Sequence, residues 1–368
     1  MSVPTSQRRR GDLRPPSRED TPMSETHEVR NTTLGRTTHC PADQPVLEAF
    51  LRDNIWLPHS CTQGTCGTCK VRVVDGEVDH RDSSEYTLTP QERSEGIALG
   101  CQATPRSDLA LEPVEQVHPD DGVTRHPLRD CSGTVAVLDD IARDIRRLVI
   151  ELDEPMPFNA GQYAEIAVPG TTVSRQYSMA NPPSQTHNLE FHVKRTAGGI
   201  ATDGWMFGQM RLGDRVALKG PLGEFGMNTP QEEPAILIAG GTGLAPLKAI
   251  AQHALTNELA PQLHLYHGGR TRQDLYDMQF FHELEQQHER FTYRPCLSEQ
   301  EWEGAQGMVT DVVLDDFSTC KGLNAYLCGP PAMVEAGVKA LKRRRMAPRK
   351  IFREEFLDAS STLAGANR

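Results

Sequence analysis

The 368-residue sequence has no run approaching ~18 consecutive apolar residues, so it holds no candidate transmembrane helix. It has no excess of positive charge: 39 Lys and Arg against 50 Asp and Glu leave a net charge of -11, which argues against a nucleic-acid partner because phosphates bind clustered cations. The N-terminal arginines have no apolar stretch behind them, so no export signal is expected. Nine unevenly spaced cysteines are too few for a disulfide scaffold. They favour a cytoplasmic location, where clustered cysteines usually bind metal or act in catalysis.

Changes in composition and periodicity divide the chain into segments. Apolar residues recur at helical spacing from Val46 to Leu57, and Lys70 to Val78 alternates like a strand, with a turn at Asp75-Gly76. Short strand-like runs after Cys131 favour an antiparallel barrel or sandwich. After Pro234, strands alternate with helical stretches, which favours a parallel sheet flanked by helices. The predicted segments are a disordered tail (1–33), a cysteine-rich domain (34–118), a linker (119–128), a domain of short strands (129–229), an α/β domain (233–358) and a C-terminal tail (359–368).

Four cysteines form the most specific pattern in the chain. Cys61, Cys66 and Cys69 are spaced C-x4-C-x2-C, and Cys101 follows after a long gap. This spacing is typical of plant-type [2Fe-2S] clusters, in which each iron needs two thiolates. The alternative is a zinc site with His59 as a fourth ligand. Zinc sites usually carry paired C-x2-C units, and only one such unit is present.

The segment SRQYSMAN places a cation, an aromatic ring and a hydroxyl in one short stretch, as Arg175, Tyr177 and Ser178. A flavin dinucleotide needs such groups: a cation for the pyrophosphate, a ring to stack on the isoalloxazine and a donor near N5. Downstream, His192 to Thr202 adds a cation and a glycine-rich turn before a predicted helix, whose N-terminus would hold a phosphate. The plainer alternative is a strand with a surface arginine and a half-buried tyrosine.

A second glycine-rich segment, AILIAGGTGLAP, runs from a predicted strand into a helix. Gly240, Gly241 and Gly243 would let the backbone approach a pyrophosphate, and Pro246 suits a first helical turn. Pro246 also occupies the last position of the G-x-G-x-x-G/A pattern, so the strict Rossmann fingerprint is not met. The alternative is a plain strand-to-helix turn.

Residues 34–115 resemble a plant-type ferredoxin, in the phrases LPHSC, VDGEV and ALGCQ. The phrases SRQYSMAN, GGTGLAP and YLCGPPAMVEA, in this order, resemble the ferredoxin–NADP reductase superfamily, which carries a G-x-G-x-x-P form. Together the resemblances imply a multidomain α+β and α/β protein. Its parts would be a β-grasp [2Fe-2S] ferredoxin domain, an antiparallel β-barrel that binds FAD rather than FMN, and a parallel-sheet α/β domain that binds NADH and tolerates NADPH.

The resemblance also implies roles for single residues. Arg175 would contact the pyrophosphate, Tyr177 would stack on the flavin, and Ser178 would lie near N5. The implied catalytic residues are Ser178, Cys328, Glu355 and Phe356, of which Glu355 would lie near N5 and Phe356 would cover the flavin face unless it is a core residue. The implied cofactor contacts are Arg175, Tyr177, Ser178, His192, Lys194, Gly199, Ala201, Thr202, Gly241, Thr242, Gly243, Arg270, Cys328, Gly329 and Pro330.

The three modules together predict an electron relay. NADH gives up two electrons as hydride, a plant-type cluster accepts one at a time, and a flavin converts between the two. The chain from Leu34 to Asp358 resembles the reductases of bacterial ring-hydroxylating dioxygenases of the naphthalene type, which implies a Rieske-type ferredoxin or the terminal oxygenase as acceptor. The alternatives are the reductase of a di-iron monooxygenase for phenols, alkanes or alkenes, a reductase serving deoxysugar synthesis and, in another class, a slow redox-sensing regulator.

Overall fold

The computed structural model describes residues 25–115 and 121–356. Within them the chain forms three successive units, each built on its own large sheet. The predicted C-terminal tail, most of the predicted N-terminal tail and the start of the predicted linker lie outside the described residues. None of the helices described is long and apolar enough to cross a lipid bilayer.

The first unit packs a helix against a mixed five-stranded sheet. Its elements are β1 Thr26–Asn31, β2 Arg36–Pro41, α1 Val46–Arg52, β3 Lys70–Asp75, β4 Val78–Asp79, α2 Pro90–Ser94, β5 Ile97–Leu99, β6 Thr104–Pro105 and β7 Leu109–Pro113. The sheet order is β2-β1-β7-β3-β5, with β1 parallel to β7 and the other neighbours antiparallel. This agrees with the predicted β-grasp fold. Helix α1 ends earlier than the predicted Leu57, because Asn54 has a φ of 53°, which a right-handed helix cannot include.

The predicted boundary of the disordered tail at residue 33 is wrong. Strand β1 lies inside that stretch and pairs with both β2 and β7. Its buried positions are His27, Val29 and Asn31, and two of these three are polar. The sequence of β1 therefore lacks the alternation of apolar and polar residues that predicts a strand.

Truncation through Arg30 is expected to destabilise the first unit, because it removes all of β1 except Asn31. The loss of buried Val29 and of two strand pairings should cost at least ~3 kcal/mol of unfolding free energy. Thermal unfolding and iron content would measure this. The matched control is truncation through Ser24, which leaves β1 intact and should match the full chain. An unchanged melting temperature after truncation through Arg30 would contradict the role of β1.

The second unit is an antiparallel six-stranded sheet. Its strands are β8 Arg129–Ala142, β9 Ile145–Leu152, β10 Tyr163–Ala167, β11 Ser174–Ser178, β12 Asn188–Lys194 and β13 Arg215–Leu222. The order is β11-β10-β13-β8-β9-β12, and a bridge between Met179 and Phe191 joins the two edges. The helix predicted after Gly199 is a short π-helix, Ile200–Met206.

The third unit is a six-stranded parallel sheet with helices on both faces. Its elements are β14 Ala235–Gly240, α3 Leu244–Thr256, β15 Leu263–Gly269, α4 Met278–Gln287, β16 Phe291–Leu297, β17 Ala305–Gln306, α5 Val309–Asp316, β18 Asn324–Gly329, α6 Pro331–Arg343 and β19 Ile351–Glu355. The order is β17-β16-β15-β14-β18-β19. The central strands β14 and β18 are buried throughout. Leu237 faces one apolar cluster, whereas Ile236 and Ile238 face the other, as expected for a sheet covered on both sides.

The first two units share a core. Leu128, which directly precedes β8, packs into the apolar cluster of the first unit together with Tyr163 and Leu222 of the second. The Leu128 N–H donates to the Leu51 carbonyl at 3.0 Å. The described part of the predicted linker is therefore packed against the first unit, which fixes where the cysteine loop meets the second sheet.

Candidate functional site

The loop that carries the first three cysteines wraps around one sulfur. The N–H groups of Gln63, Thr65 and Cys66 each lie 3.4 Å from Cys61 Sγ. Gly64 has a φ of 77°, which lets the backbone turn so that these N–H groups face inward. Donors of this kind stabilise a thiolate, so the loop is preorganised for a metal-bound sulfur.

The four cysteines form two pairs. The Cys66 thiol hydrogen-bonds to Cys61 and lowers the pKa of Cys61, and the Cys101 thiol does the same to Cys69. In the described part of the chain, no three of these sulfurs lie within 4.8 Å of one another. A tetrahedral zinc ion, with Zn–S bonds of about 2.3 Å, would bring all four sulfurs closer than that. Two separated pairs fit two irons, so the residues present fit a [2Fe-2S] cluster.

His59, the alternative zinc ligand, has both ring nitrogens in use. Nδ1 lies 2.9 Å from the Leu57 carbonyl, and Nε2 accepts the Gly223 N–H at 3.0 Å. The ring is fully buried, and burial lowers its pKa to about 4. His59 therefore joins the first unit to the second as a neutral side chain and is not a ligand.

A cavity of about 370 Å³ opens between the second and third units, next to β11. Arg175 and Lys194 lie on its wall, and neither forms an ion pair with a carboxylate among the described residues. Two cations that no described carboxylate neutralises, beside aromatic and glycine-rich walls, fit a dinucleotide with a flavin ring. The predicted residues that line this cavity are Arg175, Tyr177, Ser178, His192, Lys194, Gly199, Ala201, Thr202, Gly241, Thr242, Pro330 and Phe356.

His192 lines this cavity, but its polar atoms are already engaged. Nδ1 lies 3.1 Å from the Tyr276 hydroxyl and Nε2 lies 2.8 Å from Glu190. The ring therefore shapes the wall and offers no free nitrogen to a cofactor.

Glu354 takes the place that the sequence assigned to Glu355. Glu354 Oε2 lies 3.5 Å from Ser178 Oγ and 4.0 Å from Cys328 Sγ, whereas the Glu355 side chain is exposed. The physical reason is strand alternation: Glu354 pairs in register with Cys328 and shares its side of β19 with Phe356. Phe356 lines the cavity, so the same parity could have identified Glu354 from the sequence.

Burial sets the protonation state of the Glu354 carboxyl. It raises the pKa of Glu354 to about 7, while the hydrogen bond with Ser178 acts in the opposite direction. Burial also raises the pKa of the Cys328 thiol, so the sulfur is a neutral thiol and a poor nucleophile. A carboxyl with this raised pKa therefore lies behind Ser178, which lines the cavity.

A second cavity, of about 360 Å³, lies at the carboxyl ends of β14, β15 and β18. It shares Lys194, Gly240, Gly241 and Pro330 with the flavin cavity, so ligands in the two cavities would meet there. This edge of a parallel sheet is where nucleotides bind in open α/β folds. The residues present fit a nicotinamide dinucleotide.

The glycines predicted to approach the pyrophosphate have different roles. A Cβ on Gly241 would meet nothing within 4 Å, so this backbone is open to a ligand. A Cβ on Gly243 would lie 2.1 Å from the Cys328 carbonyl, so Gly243 lets the start of α3 pack on β18. Arg270 lines the second cavity, and Gly329 ends β18 with a φ of 150°. The preference for NADH stays a prediction.

A buried charge cluster that the sequence analysis missed joins β12 to the third unit. Glu190, His192 and Asp277 bring ligand atoms within 4.8 Å of one another. The Lys248 ammonium occupies the space between the carboxylates, 2.9 Å from Glu190 and 2.7 Å from Asp277, and Arg147 also contacts both. Two cations balance two carboxylates, so the cluster is an ion-pair network. Its members come from distant segments, and no local pattern marks them.

Three family profiles match the chain. They describe a 2Fe-2S iron-sulfur cluster binding domain over residues 29–106, an oxidoreductase FAD-binding domain over 132–227 and an oxidoreductase NAD-binding domain over 237–339. The cofactors are therefore a [2Fe-2S] cluster, FAD and a nicotinamide nucleotide. The first match begins before residue 34, in agreement with β1.

Several curated proteins are similar over nearly their full length. The aromatic O-demethylase reductase subunit of Amycolatopsis is 49% identical over 330 residues, covering 89% of this chain and 98% of the relative. The phenol 2-monooxygenase reductase component of Pseudomonas is 40% identical over 348 residues, covering 93% and 98%. The reductase component of the naphthalene 1,2-dioxygenase system of Pseudomonas putida is 34% identical over 315 residues, covering 84% and 93%.

Among solved structures, a cytochrome P450 reductase from Amycolatopsis superposes with a TM-score of 0.85 at 48% identity, covering 90% of this chain and 99% of that one. The order of the three matched domains agrees with the order of the three units. The chain therefore belongs to the iron–sulfur flavoprotein reductase components of multicomponent oxygenase systems, which pass electrons from NAD(P)H through FAD to a [2Fe-2S] cluster and on to an oxygenase or ferredoxin partner.

Proposed function

We propose that this reductase passes electrons from its cluster directly to the oxygenase component of a system that oxidises an aromatic compound, and that this component is a P450-type O-demethylase. The observation that carries the proposal is the 49% identity to an aromatic O-demethylase reductase subunit over 98% of that protein's length. The likeness to a structure described as a cytochrome P450 reductase adds to it. A cytoplasmic location stays a prediction.

The exposed edge of the cluster loop supports direct delivery. Cys66 is exposed, whereas Cys69 and Cys101 are buried, so the outer edge of the cluster would face solvent at Cys66. A chain that carries its own ferredoxin-like unit can meet its acceptor at this edge without a separate carrier. Interfaces for electron transfer are small and weak, and this suits a single exposed loop.

A phenol-type monooxygenase is the second candidate acceptor, supported by the 40% identical reductase. The Rieske-type ferredoxin or terminal dioxygenase expected from the sequence is supported by the 34% identical naphthalene reductase. The three acceptors differ in chemistry, so one assay with each of them separates the candidates.

The residues of the site divide the work between them. When bound, FAD accepts a hydride and gives up electrons singly. Arg175 and Lys194 would hold its phosphates, and Tyr177 would stack on its ring. Open backbone at Gly241 would hold the nicotinamide dinucleotide, and the neutral, buried thiol of Cys328 would support the carboxyl of Glu354 from behind. We propose NADH as the preferred donor, with NADPH tolerated.

The test measures anaerobic reduction of three purified acceptors by the reductase and NADH: a P450-type O-demethylase, a phenol hydroxylase component and a Rieske ferredoxin. The P450 should be reduced with the highest kcat/KM. As a control for active enzyme, the reductase sample used with each acceptor should reduce cytochrome c at the same rate. A higher kcat/KM for the Rieske ferredoxin would overturn the proposed acceptor. Failure to turn over with any acceptor, cytochrome c included, would instead favour a redox-sensing role.

A further inference from the structure

Strand β11 lies between the flavin cavity and the cluster loop. Arg175, Gln176 and Tyr177 are consecutive on this strand, with side chains on alternating sides, and all three border the cavity. The Gln176 amide donates to the Cys61 carbonyl and to Thr62 Oγ1, both at 2.6 Å. Gln176 therefore borders the flavin cavity and, through its amide nitrogen, also binds the backbone of a cluster ligand.

Two further hydrogen bonds complete this contact, which we call the cluster–flavin seam and define as Thr62, Tyr163, Glu165 and Gln176. Thr62 Oγ1 donates to Glu165 Oε1 at 2.9 Å, and the Tyr163 hydroxyl donates to the Ser60 carbonyl at 2.6 Å. Tyr163 is 4% exposed, and the other bonds are partly buried. Water competes less for the donors and acceptors of hydrogen bonds that are shielded from it, so the seam fixes the loop in one position.

The backbone of the loop shows that it is held. Thr62 has a φ of 47°, a left-handed conformation that is unusual for a β-branched residue. Such a conformation persists only where the surroundings over-determine it. The three seam contacts at Thr62, from Gln176, Glu165 and Tyr163, provide that restraint.

We propose that Gln176 is a positioning residue for electron transfer from the flavin to the cluster. In this step one electron leaves the reduced flavin and one ferric ion of the cluster becomes ferrous, with no bond formed or broken between them. Electron transfer slows steeply as the gap between donor and acceptor widens. Gln176 sets that gap, because it ties the Cys61 peptide to the strand that carries Tyr177. The two cavities meet at Lys194, Gly240, Gly241 and Pro330, none of which belongs to the seam, so hydride transfer there should not depend on it.

The experiment is anaerobic stopped-flow reduction of the holoenzyme by NADH, comparing the wild type with Gln176→Leu. Flavin reduction should stay within about twofold, while flavin-to-cluster transfer should slow by about tenfold or more, as expected for a small displacement of reacting groups. The matched control is Ser174→Ala, at the exposed start of β11, which should change neither rate. No external acceptor is used, so the result is independent of the proposed partner.

Two further readouts separate positioning from tuning and from misfolding. Amide hydrogen exchange of residues 60–66 should accelerate in Gln176→Leu, while the cluster and flavin potentials stay unchanged in a redox titration. The double variant Gln176→Leu/Thr62→Val should slow the transfer little more than Gln176→Leu does, because both act through one seam. Three results would overturn the proposal. The rate of flavin-to-cluster transfer could stay unchanged, or its decrease could be fully explained by a shifted redox potential. Both measured rates could also fall equally because the variant loses FAD.

Discussion

The Cys66→Ala variant will accept hydride from NADH and yet pass no electrons to cytochrome c. Cys66 pairs with Cys61, and two thiolates per iron are needed to hold a [2Fe-2S] cluster. Its removal leaves one iron with a single protein ligand at the exposed edge of the loop. The flavin cavity contains no cysteine of the loop, so FAD binding and its bleaching by NADH should be retained. Iron and acid-labile sulfide analysis, stopped-flow absorbance and cytochrome c reduction measure the three parts of this result.

Cys131→Ala is the matched control for that variant. Cys131 is a free cysteine of β8 that lies outside the loop, so its loss should change neither iron content nor cytochrome c reduction by more than about twofold. If Cys66→Ala kept FAD but could no longer bleach it with NADH, the order from flavin to cluster would be wrong. Zinc in place of iron in the wild type would remove the basis of the relay itself.

The sites built from short contiguous motifs were predictable, because the spacing of the residues within such a motif fixes where their side chains lie relative to one another. The spacing of Cys61, Cys66 and Cys69 fixes how one loop can wrap a cluster. The stretch from Arg175 to Ser178 likewise places a cation, a ring and a hydroxyl on one strand. In both cases the structure puts these side chains at one site, as local spacing requires. The parallel order of the third sheet was equally readable, since buried strands alternate with helices there.

Features that depend on distant segments were not predictable from local patterns. Lys248 neutralises Glu190 and Asp277, yet nothing near any of them in sequence marks the contact. Gln176 lies between Arg175 and Tyr177 with no role of its own in the sequence prediction, and only the packed cluster loop reveals its partner. Strand β1 was missed for a different reason, because two of its three buried residues are polar and the apolar pattern is absent.

Flavin reduction by NADH should slow above pH 7 in the wild type, and the Glu354→Gln variant should lose this pH dependence. Burial raises the pKa of Glu354 to about 7, so the carboxyl is neutral below that pH and carries a negative charge above it. Hydride transfer to a flavin bound in this cavity would place negative charge near Ser178, the hydrogen-bond partner of Glu354, and an ionised carboxylate behind Ser178 would oppose the reaction. In the wild type the rate should fall about tenfold per pH unit above 7, reaching about 100-fold by pH 9, while the glutamine variant stays flat.

Glu355→Gln is the matched control, since the neighbouring side chain is exposed and should leave the wild-type profile unchanged. Stability gives an independent reading of the same group. Because the folded-state pKa lies above the ordinary 4.5, the unfolded chain ionises first as pH rises. The free energy of unfolding of the wild type, relative to Glu354→Gln, should therefore fall between about pH 4.5 and 7 and then level off. An equal fall in flavin reduction rate above pH 7 in both Glu354→Gln and the wild type would show that another group controls the hydride step. A shift of the profile in Glu355→Gln would return the role to the residue that the sequence first indicated.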